Sequence, residues 1–129
     1  TSSTEPGKSR MTPFGLKVRS WRKEKNLTQK QQANFLGVSK AYISALEVGA
    51  KGRPSAALVD QICVWLDLIW DDAEELKQLA VLSHPKPRVE VRRDKPNAIL
   101  LANFLAQNVN RLSEKDCSEL YENMKGRLS

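Results

Sequence analysis

The sequence is poor in the residues on which catalytic and metal sites depend. Its 129 residues include one histidine, His84, and two cysteines, Cys63 and Cys117. Two cysteines are too few for a disulfide framework or a zinc cluster, and both fall within helical patterns, which fits a reducing cytoplasm. The sequence does not bring an acid, a base and a nucleophile together in one segment. We therefore predict that the protein is not an enzyme and needs no metal or cofactor.

Long apolar runs and a secretion signal are also missing. No apolar stretch approaches the roughly 18–20 residues that a transmembrane helix requires. The first residues do not place a charged region before an apolar one, as a signal peptide does. Residues 1–11 are instead rich in Ser, Thr, Gly, Pro and charge, a composition typical of disorder. We expect a disordered tail over residues 1–11, no membrane contact and a cytoplasmic location.

Positive charge is concentrated in the first part of the chain. The net charge is +6, but residues 1–54 carry 11 Lys and Arg against 3 Asp and Glu. Residues 55–85 carry 1 against 6, and residues 86–129 carry 9 against 6. A basic region beside an acidic one indicates a surface that faces a polyanion. The alternative is a basic face that is simply solvated.

Capping residues and glycines predict five short helices between residues 12 and 83. Ser, Thr and Asp favour helix N-termini, and glycine favours the left-handed conformation that ends helices. Gly37 and Gly49 end the second and third helices, and the fourth helix is predicted to end at about Leu68. The predicted N-caps are Thr12, Thr28, Ser39, Ser55 and Asp71. Because only residues 37–39 separate the second helix from the third, the two must meet at a sharp angle. That is the geometry of a helix-turn-helix.

The last third of the chain has a different pattern. Residues 84–96 contain three prolines and the short alternation Val89-Glu90-Val91, which predicts a linker with one brief strand. Apolar residues then recur at helical spacing over residues 97–112 and 113–127. We therefore predict a pair of C-terminal helices after the linker.

The segment from Leu27 to Glu47, LTQKQQANFLGVSKAYISALE, resembles the Cro/repressor-type (Xre) helix-turn-helix family. The match is gapless, and with flanking helices it covers residues 12–70. It includes the small Ala33, which suits a tight helix crossing, the turn Gly37, and the core positions Val38, Ile43 and Leu46. The resemblance implies a five-helix lambda-repressor-like helix-turn-helix domain over residues 12–83. Together with the linker over 84–96 and a C-terminal helical hairpin over 97–129, which the sequence pattern predicts, this gives an all-α fold.

The resemblance also implies roles for particular residues, because the second helix of this motif enters the DNA major groove in the family. Its outward-facing residues, predicted to read bases, are Lys40, Ala41, Tyr42, Ser44 and Ala45. Those predicted to hold phosphates are Thr28, Gln29, Lys30, Ser39, Lys51 and Arg53, with Lys17 and Arg19 as weaker candidates on the flank. For Tyr42 the alternative is packing against the first helix.

Two further positions concern the core of the motif. Arg22 and Glu47 match a family pair that forms an internal ion pair, which implies a structural role for both. Gln32 stands where the family usually has leucine. A semi-buried amide destabilises a protein unless it finds a hydrogen-bond partner, so packing at Gln32 is expected to differ from that of the family.

The predicted C-terminal hairpin has more apolar surface than one hairpin can bury against itself. We therefore expect homodimerisation through residues 97–129, which would place two helix-turn-helix domains about one helical turn, roughly 34 Å, apart on DNA. The residues expected at this interface are Leu101, Phe104, Leu105, Val109, Leu120 and Met124. The alternatives are a hairpin that packs back on its own DNA-binding domain and a ligand-sensing role.

These observations predict a sequence-specific, double-stranded DNA-binding transcriptional regulator. We expect a dimeric repressor that reads a palindromic operator through the major groove in a bacterial cytoplasm, where it is associated with the nucleoid. One alternative is an antitoxin-type autoregulator whose C-terminal hairpin binds a partner protein. The others are an enzyme that uses the acidic cluster near residue 72 as a metal site, and a general nucleic-acid binder.

Overall fold

The structure is a computed structural model that describes residues 11–129. The predicted disordered tail, residues 1–11, lies outside the described residues except for Met11. The chain divides into two units, one ending at Pro87 and one beginning at Arg88. The first contains α1 to α5: Pro13–Glu24, Gln29–Leu36, Lys40–Glu47, Ala56–Leu66 and Trp70–Val81. The second contains α6, a 3-10 turn and α7: Pro96–Asn108, Val109–Arg111 and Glu114–Leu128.

The predicted all-α fold is confirmed for the described residues, which contain no strand. The brief strand predicted at Val89-Glu90-Val91 is therefore wrong. A strand needs a neighbour to satisfy its backbone groups, and residues 11–129 supply no second strand beside this segment.

Side-chain caps start most of the helices where the sequence predicts them. Thr12, Thr28 and Ser39 accept hydrogen bonds from the backbone N–H groups of Gly15, Gln31 and Tyr42. Ser55 and Ser113 accept in the same way from Leu58 and Asp116. Such caps satisfy N–H groups that have no partner inside the helix. The hydroxyl-bearing residues thus fix the first turns of α1 to α4 and of α7.

The N-cap predicted at Asp71 is wrong. Helix α5 begins at Trp70 after Ile69, which makes no side-chain capping bond. Asp71 and Asp72 lie inside the first turn, where carboxylates are favoured by the positive end of the helix dipole. The acidic residues therefore stabilise this N-terminus by charge rather than by capping it.

Two other helix ends differ from prediction. Helix α4 ends at Leu66 and not at residue 68, because Asp67 adopts a left-handed conformation with φ 54°. Helix α6 begins at Pro96 and ends at Asn108, and a 3-10 turn replaces its predicted last turn. Both differences are local and leave the order of the elements unchanged.

The core of the first unit lies between α1, α3, α4 and α5. Its fully buried side chains include Phe14, Ile43, Ile62, Leu66 and Leu76. The thiol of Cys63 also lies in this core, and its burial raises the pKa above the ordinary value because the charged thiolate is disfavoured away from water.

Helix α1 crosses the end of α3 at very close range. The Thr12 backbone N–H and hydroxyl both donate to the Glu47 carbonyl, at 3.0 and 3.2 Å. A Cβ added at Gly15 would lie 2.2 Å from the same oxygen. Two residues further along α1, the Phe14 N–H donates to the Ser83 hydroxyl at 3.0 Å. These contacts fix α3 relative to α1, and α1 relative to the end of α5.

The second unit has no buried side chain among its residues, all of which the structure describes. Large apolar side chains are instead exposed on both of its helices and on the 3-10 turn between them. They include every residue predicted at a dimer interface, namely Leu101, Phe104, Leu105, Val109, Leu120 and Met124. None of the helices among the described residues combines the length and hydropathy of a transmembrane span.

Candidate nucleic-acid interface

Helix α3 presents two different faces. Ile43, Leu46 and Glu47 are buried against the rest of the first unit. On the opposite side, Lys40, Ala41 and Ser44 are exposed, and Tyr42 and Ala45 are half-buried. All five side chains predicted to read bases therefore lie at least partly open to solvent, on a helix whose other face is anchored in the core.

A buried polar network lies beneath this helix. One guanidinium nitrogen of Arg22, Nη1, donates both to Glu47 Oε2 and to Gln32 Oε1, the latter at 2.7 Å. Arg22, Gln32 and Glu47 are 5%, 1% and 1% exposed. Among the described residues, every buried side-chain nitrogen and oxygen has a hydrogen-bond partner. At the position where the resembled family usually has leucine, Gln32 thus has its amide oxygen hydrogen-bonded to Arg22.

The network continues to the surface through Gln29 and Ser44. Gln29 Nε2 donates to Glu47 Oε1 at 2.9 Å, and the Ser44 hydroxyl donates to Gln29 Oε1 at 3.4 Å. Glu47 therefore links the core to the first residue of α2. The Gln29 side chain, predicted to hold a phosphate, is held by these two contacts, and the second hydrogen on its nitrogen remains the one it can offer to a ligand.

The loop after α3 carries two of the predicted phosphate ligands. Lys51 Nζ lies 5.5 Å from the centroid of the Tyr42 ring. Arg53 Nε donates to the Val81 carbonyl at 2.8 Å, at the end of α5. Both residues are exposed, so their cationic groups are anchored on one side and face solvent on the other.

The remaining predicted phosphate ligands lie at the N-termini of α2 and α3. Thr28 and Ser39 use their hydroxyl oxygens as caps, and Lys30 is exposed on α2. Helix N-termini favour anions because backbone N–H groups and the helix dipole point outward there. The two caps thus lie where a phosphate would be stabilised.

The two weaker candidates for phosphate binding, Lys17 and Arg19, lie in different surroundings. Lys17 pairs with Glu75 of α5 at 3.1 Å and lies over the Trp21 ring, so its charge already has a partner within the first unit. Arg19 instead lines a groove of about 590 Å³ between α1 and the start of α2. Lys23 and Gln29 line the same groove. Lys23 was not predicted as a site residue, since only the packing of α1 against α2 brings it beside Gln29.

The acidic cluster near Asp72 lies in the first turns of α5. No group of three or more His, Cys, Asp or Glu side chains within residues 11–129 has the geometry to hold a metal ion. One of these carboxylates, Glu75, pairs with Lys17, and Asp60 pairs with Lys77.

Comparisons with known proteins find a helix-turn-helix in the same part of the chain. Residues 18–64 match the helix-turn-helix family model. The chain is similar to two curated proteins of Bacillus subtilis strain 168. Over 62 residues, 48% of this chain, it is 34% identical to RghRB, an uncharacterized HTH-type transcriptional regulator. Over 61 residues, 47% of this chain, it is 36% identical to RghR, an HTH-type transcriptional repressor. Each match spans 45% of the relative's length, and no solved structure gives a significant match.

Proposed function

Starting from a helix-turn-helix domain of the Xre type over residues 18–64, we propose that the protein is a sequence-specific regulator of transcription that binds double-stranded DNA. The observation that carries the proposal is that α3 has one buried face and one exposed face. Its inner face is fixed by Ile43, Leu46 and the buried Arg22–Glu47 pair, while its outer face remains open. A helix with a packed inner face and an open outer face is what reading of base edges requires.

In this proposal α3 enters the major groove. Lys40 donates to guanine or to a phosphate, and the Ala41 methyl group contacts a thymine methyl. Tyr42, Ser44 and Ala45 lie further along the same edge. The phosphate backbone is held by Lys30, Lys51, Arg53 and the N-termini capped by Thr28 and Ser39, with the second hydrogen of the Gln29 amide directed to the same backbone.

We further propose that the protein represses transcription as a homodimer on a palindromic operator, in a bacterial cytoplasm and associated with the nucleoid. The exposed apolar side chains of α6 and α7 support a second copy as partner, because such surfaces are rare on proteins that remain monomeric. The name of RghR as a repressor supports the direction of regulation. Occlusion of a promoter by the bound dimer is sufficient for repression and requires no cofactor.

Selection of duplexes from a random pool by the full chain tests the function. We expect enrichment of a two-fold symmetric sequence, bound at least about a thousand times more tightly than random duplex. Equal affinity for selected and random duplexes would show a general nucleic-acid binder instead.

Two variants then separate base reading from phosphate binding. Lys40→Ala should change the preferred base at one position of each half-site. Arg53→Ala should weaken binding to every duplex alike and lower the salt slope by about 1 per site. Lys77→Ala removes the same charge from α5 and should leave binding unchanged. If Lys40→Ala weakens all sequences equally, the base-reading role of Lys40 is wrong.

A further inference from the structure

The loop that follows α3 is folded into a fixed turn. Gly49 and Gly52 adopt left-handed conformations, with φ 82° and 73°. The Ala50 N–H donates to the Ala45 carbonyl, and the Gly52 N–H donates to the Gly49 carbonyl, each at 2.9 Å. Residues that carry a side chain rarely adopt such φ values, whereas glycine does so freely. The backbone on both sides of Lys51 is therefore held in place.

The Tyr42 side chain is held in place by the core of the first unit. Its ring is half-buried and packs against the hydrophobic core cluster. Its backbone N–H donates to the Ser39 hydroxyl at 3.0 Å, within the first turn of α3. The Lys51 ammonium lies over this ring at 5.5 Å from the centroid, within the distance of about 6 Å at which a cation is attracted to an aromatic ring.

We infer that Tyr42 is a positioning residue that holds the Lys51 ammonium ready for a DNA phosphate, and that Tyr42 does not itself read a base. The inference rests on the proposed function for its ligand, but the contact between ring and ammonium exists in the free protein. This role keeps the packing that the sequence offered as the alternative for Tyr42, and it replaces the predicted reading of a base.

The chemistry of the contact favours this role. A lysine side chain is long and flexible, so ordering it when DNA binds reduces affinity. Attraction to the ring restricts the side chain beforehand and occupies none of its three N–H donors, because the ring acts through its π face. The phenolic hydroxyl of Tyr42 plays no part in the contact. A phenylalanine at residue 42 should therefore hold Lys51 as well as tyrosine does, and a leucine should not.

The first experiment uses the free full-length protein. An aromatic ring shifts the NMR signals of protons that lie over its face, so the Lys51 side-chain methylene protons should resonate upfield of ordinary lysine values. Tyr42→Phe should keep this shift and Tyr42→Leu should abolish it. Ordinary Lys51 shifts in the wild-type protein would overturn the inference, whatever the protein binds.

The second experiment measures affinity for a duplex selected from a random pool by the wild-type chain. Tyr42→Phe should bind like wild type, and Tyr42→Leu should bind about threefold more weakly. Lys51→Ala should weaken binding less in the Tyr42→Leu background than in the wild type, since the two changes affect one contact. Lys30→Ala, the control lysine on α2, should cost the same in both backgrounds.

Each outcome of the second experiment decides the inference. If Tyr42→Phe loses as much affinity as Tyr42→Leu, the hydroxyl binds DNA and the positioning role is wrong. Equal effects of Lys51→Ala in both backgrounds would also overturn it. Thermal unfolding of each variant is the control that the fold is retained. If the wild-type chain selects no duplex while the Lys51 shift is present, the proposed function fails and the contact stands.

Discussion

At the scale of single residues, the buried triad of Arg22, Gln32 and Glu47 explains how this chain tolerates charge in its core. Taking two ions out of water is costly, and the cost is offset only when geometry and further hydrogen bonds satisfy both groups. Here Glu47 accepts from Arg22 on one oxygen and from Gln29 on the other, and Gln32 accepts from Arg22 as well. The glutamine at the family's leucine position is thus part of the ion-pair site.

Glu47→Gln should lower the free energy of unfolding by about 3 kcal/mol, because it leaves the buried Arg22 without its counter-charge. The exposed pair Lys17–Glu75 provides the matched control, since Glu75→Gln removes the same charge from a surface contact. That change should cost about 0.5 kcal/mol or less. Denaturant unfolding measures both, and equal losses would contradict the role given to the triad.

Much of this residue-scale picture follows from the sequence, but some of it does not. The resemblance identified Arg22 and Glu47 as partners, and the unusual Gln32 signalled that packing there differs. Its actual partner could not be predicted, because the contact depends on how α1 and α2 cross. The same holds for Lys51, whose position over Tyr42 depends on the turn formed by Gly49 and Gly52.

At the scale of elements, the close approach of α1 to the end of α3 determines how α3 is presented. The Glu47 carbonyl receives two hydrogen bonds from Thr12 and lies where a side chain at residue 15 would be. A glycine inside a helix normally weakens it, so Gly15 is present for space rather than for helix stability.

Gly15→Ala should destabilise the first unit by about 2 kcal/mol, because backbone atoms must move apart to admit the methyl group. All three tryptophans, Trp21, Trp65 and Trp70, lie in this unit, so denaturant unfolding followed by their fluorescence reports on it. Gly126→Ala is the control, since a Cβ at Gly126 on α7 meets no atom within 4 Å. That variant should leave the fluorescence transition unchanged. An unchanged transition for Gly15→Ala would show that the crossing is not tight.

Helix starts were predictable where a Ser or Thr side chain caps the first turn, as at Thr28 and Ser39. The prediction failed at α5, where the acidic Asp71 lies inside the first turn and the N-cap residue is Ile69. Carboxylates suit a cap and a first turn equally well, so sequence alone does not distinguish them. The strand predicted near Val89 failed because local alternation says nothing about a pairing partner.

At the scale of the whole molecule, the two units differ in how they are stabilised. The first has a core, whereas the second is 42 residues of helix and turn, Arg88–Ser129, with no buried side chain. Chains of about 40 residues seldom fold without outside support. The sequence predicted which apolar residues would lie on these helices, whereas their partner depends on a surface outside this unit.

A second copy as the covering partner can be tested with two matched double variants on α6. Leu101→Glu with Leu105→Glu places two charges on the apolar face and should yield a monomer by light scattering. Asn103→Glu with Gln107→Glu adds the same charges two positions along the helix and should leave the dimer intact. A wild-type chain that is monomeric at tens of micromolar would contradict the homodimer and favour another protein partner.

The outer face of α3 is proposed to read DNA, and NMR spectra of the full chain with a selected duplex show whether it does. Backbone amide signals should shift on binding at residues 28–30, 39–45 and 51–53. Those around the exposed corner of Val64, Ile69 and Trp70 should stay in place. Shifts confined to that corner or to residues 88–129, with the α3 signals unmoved, would contradict the account.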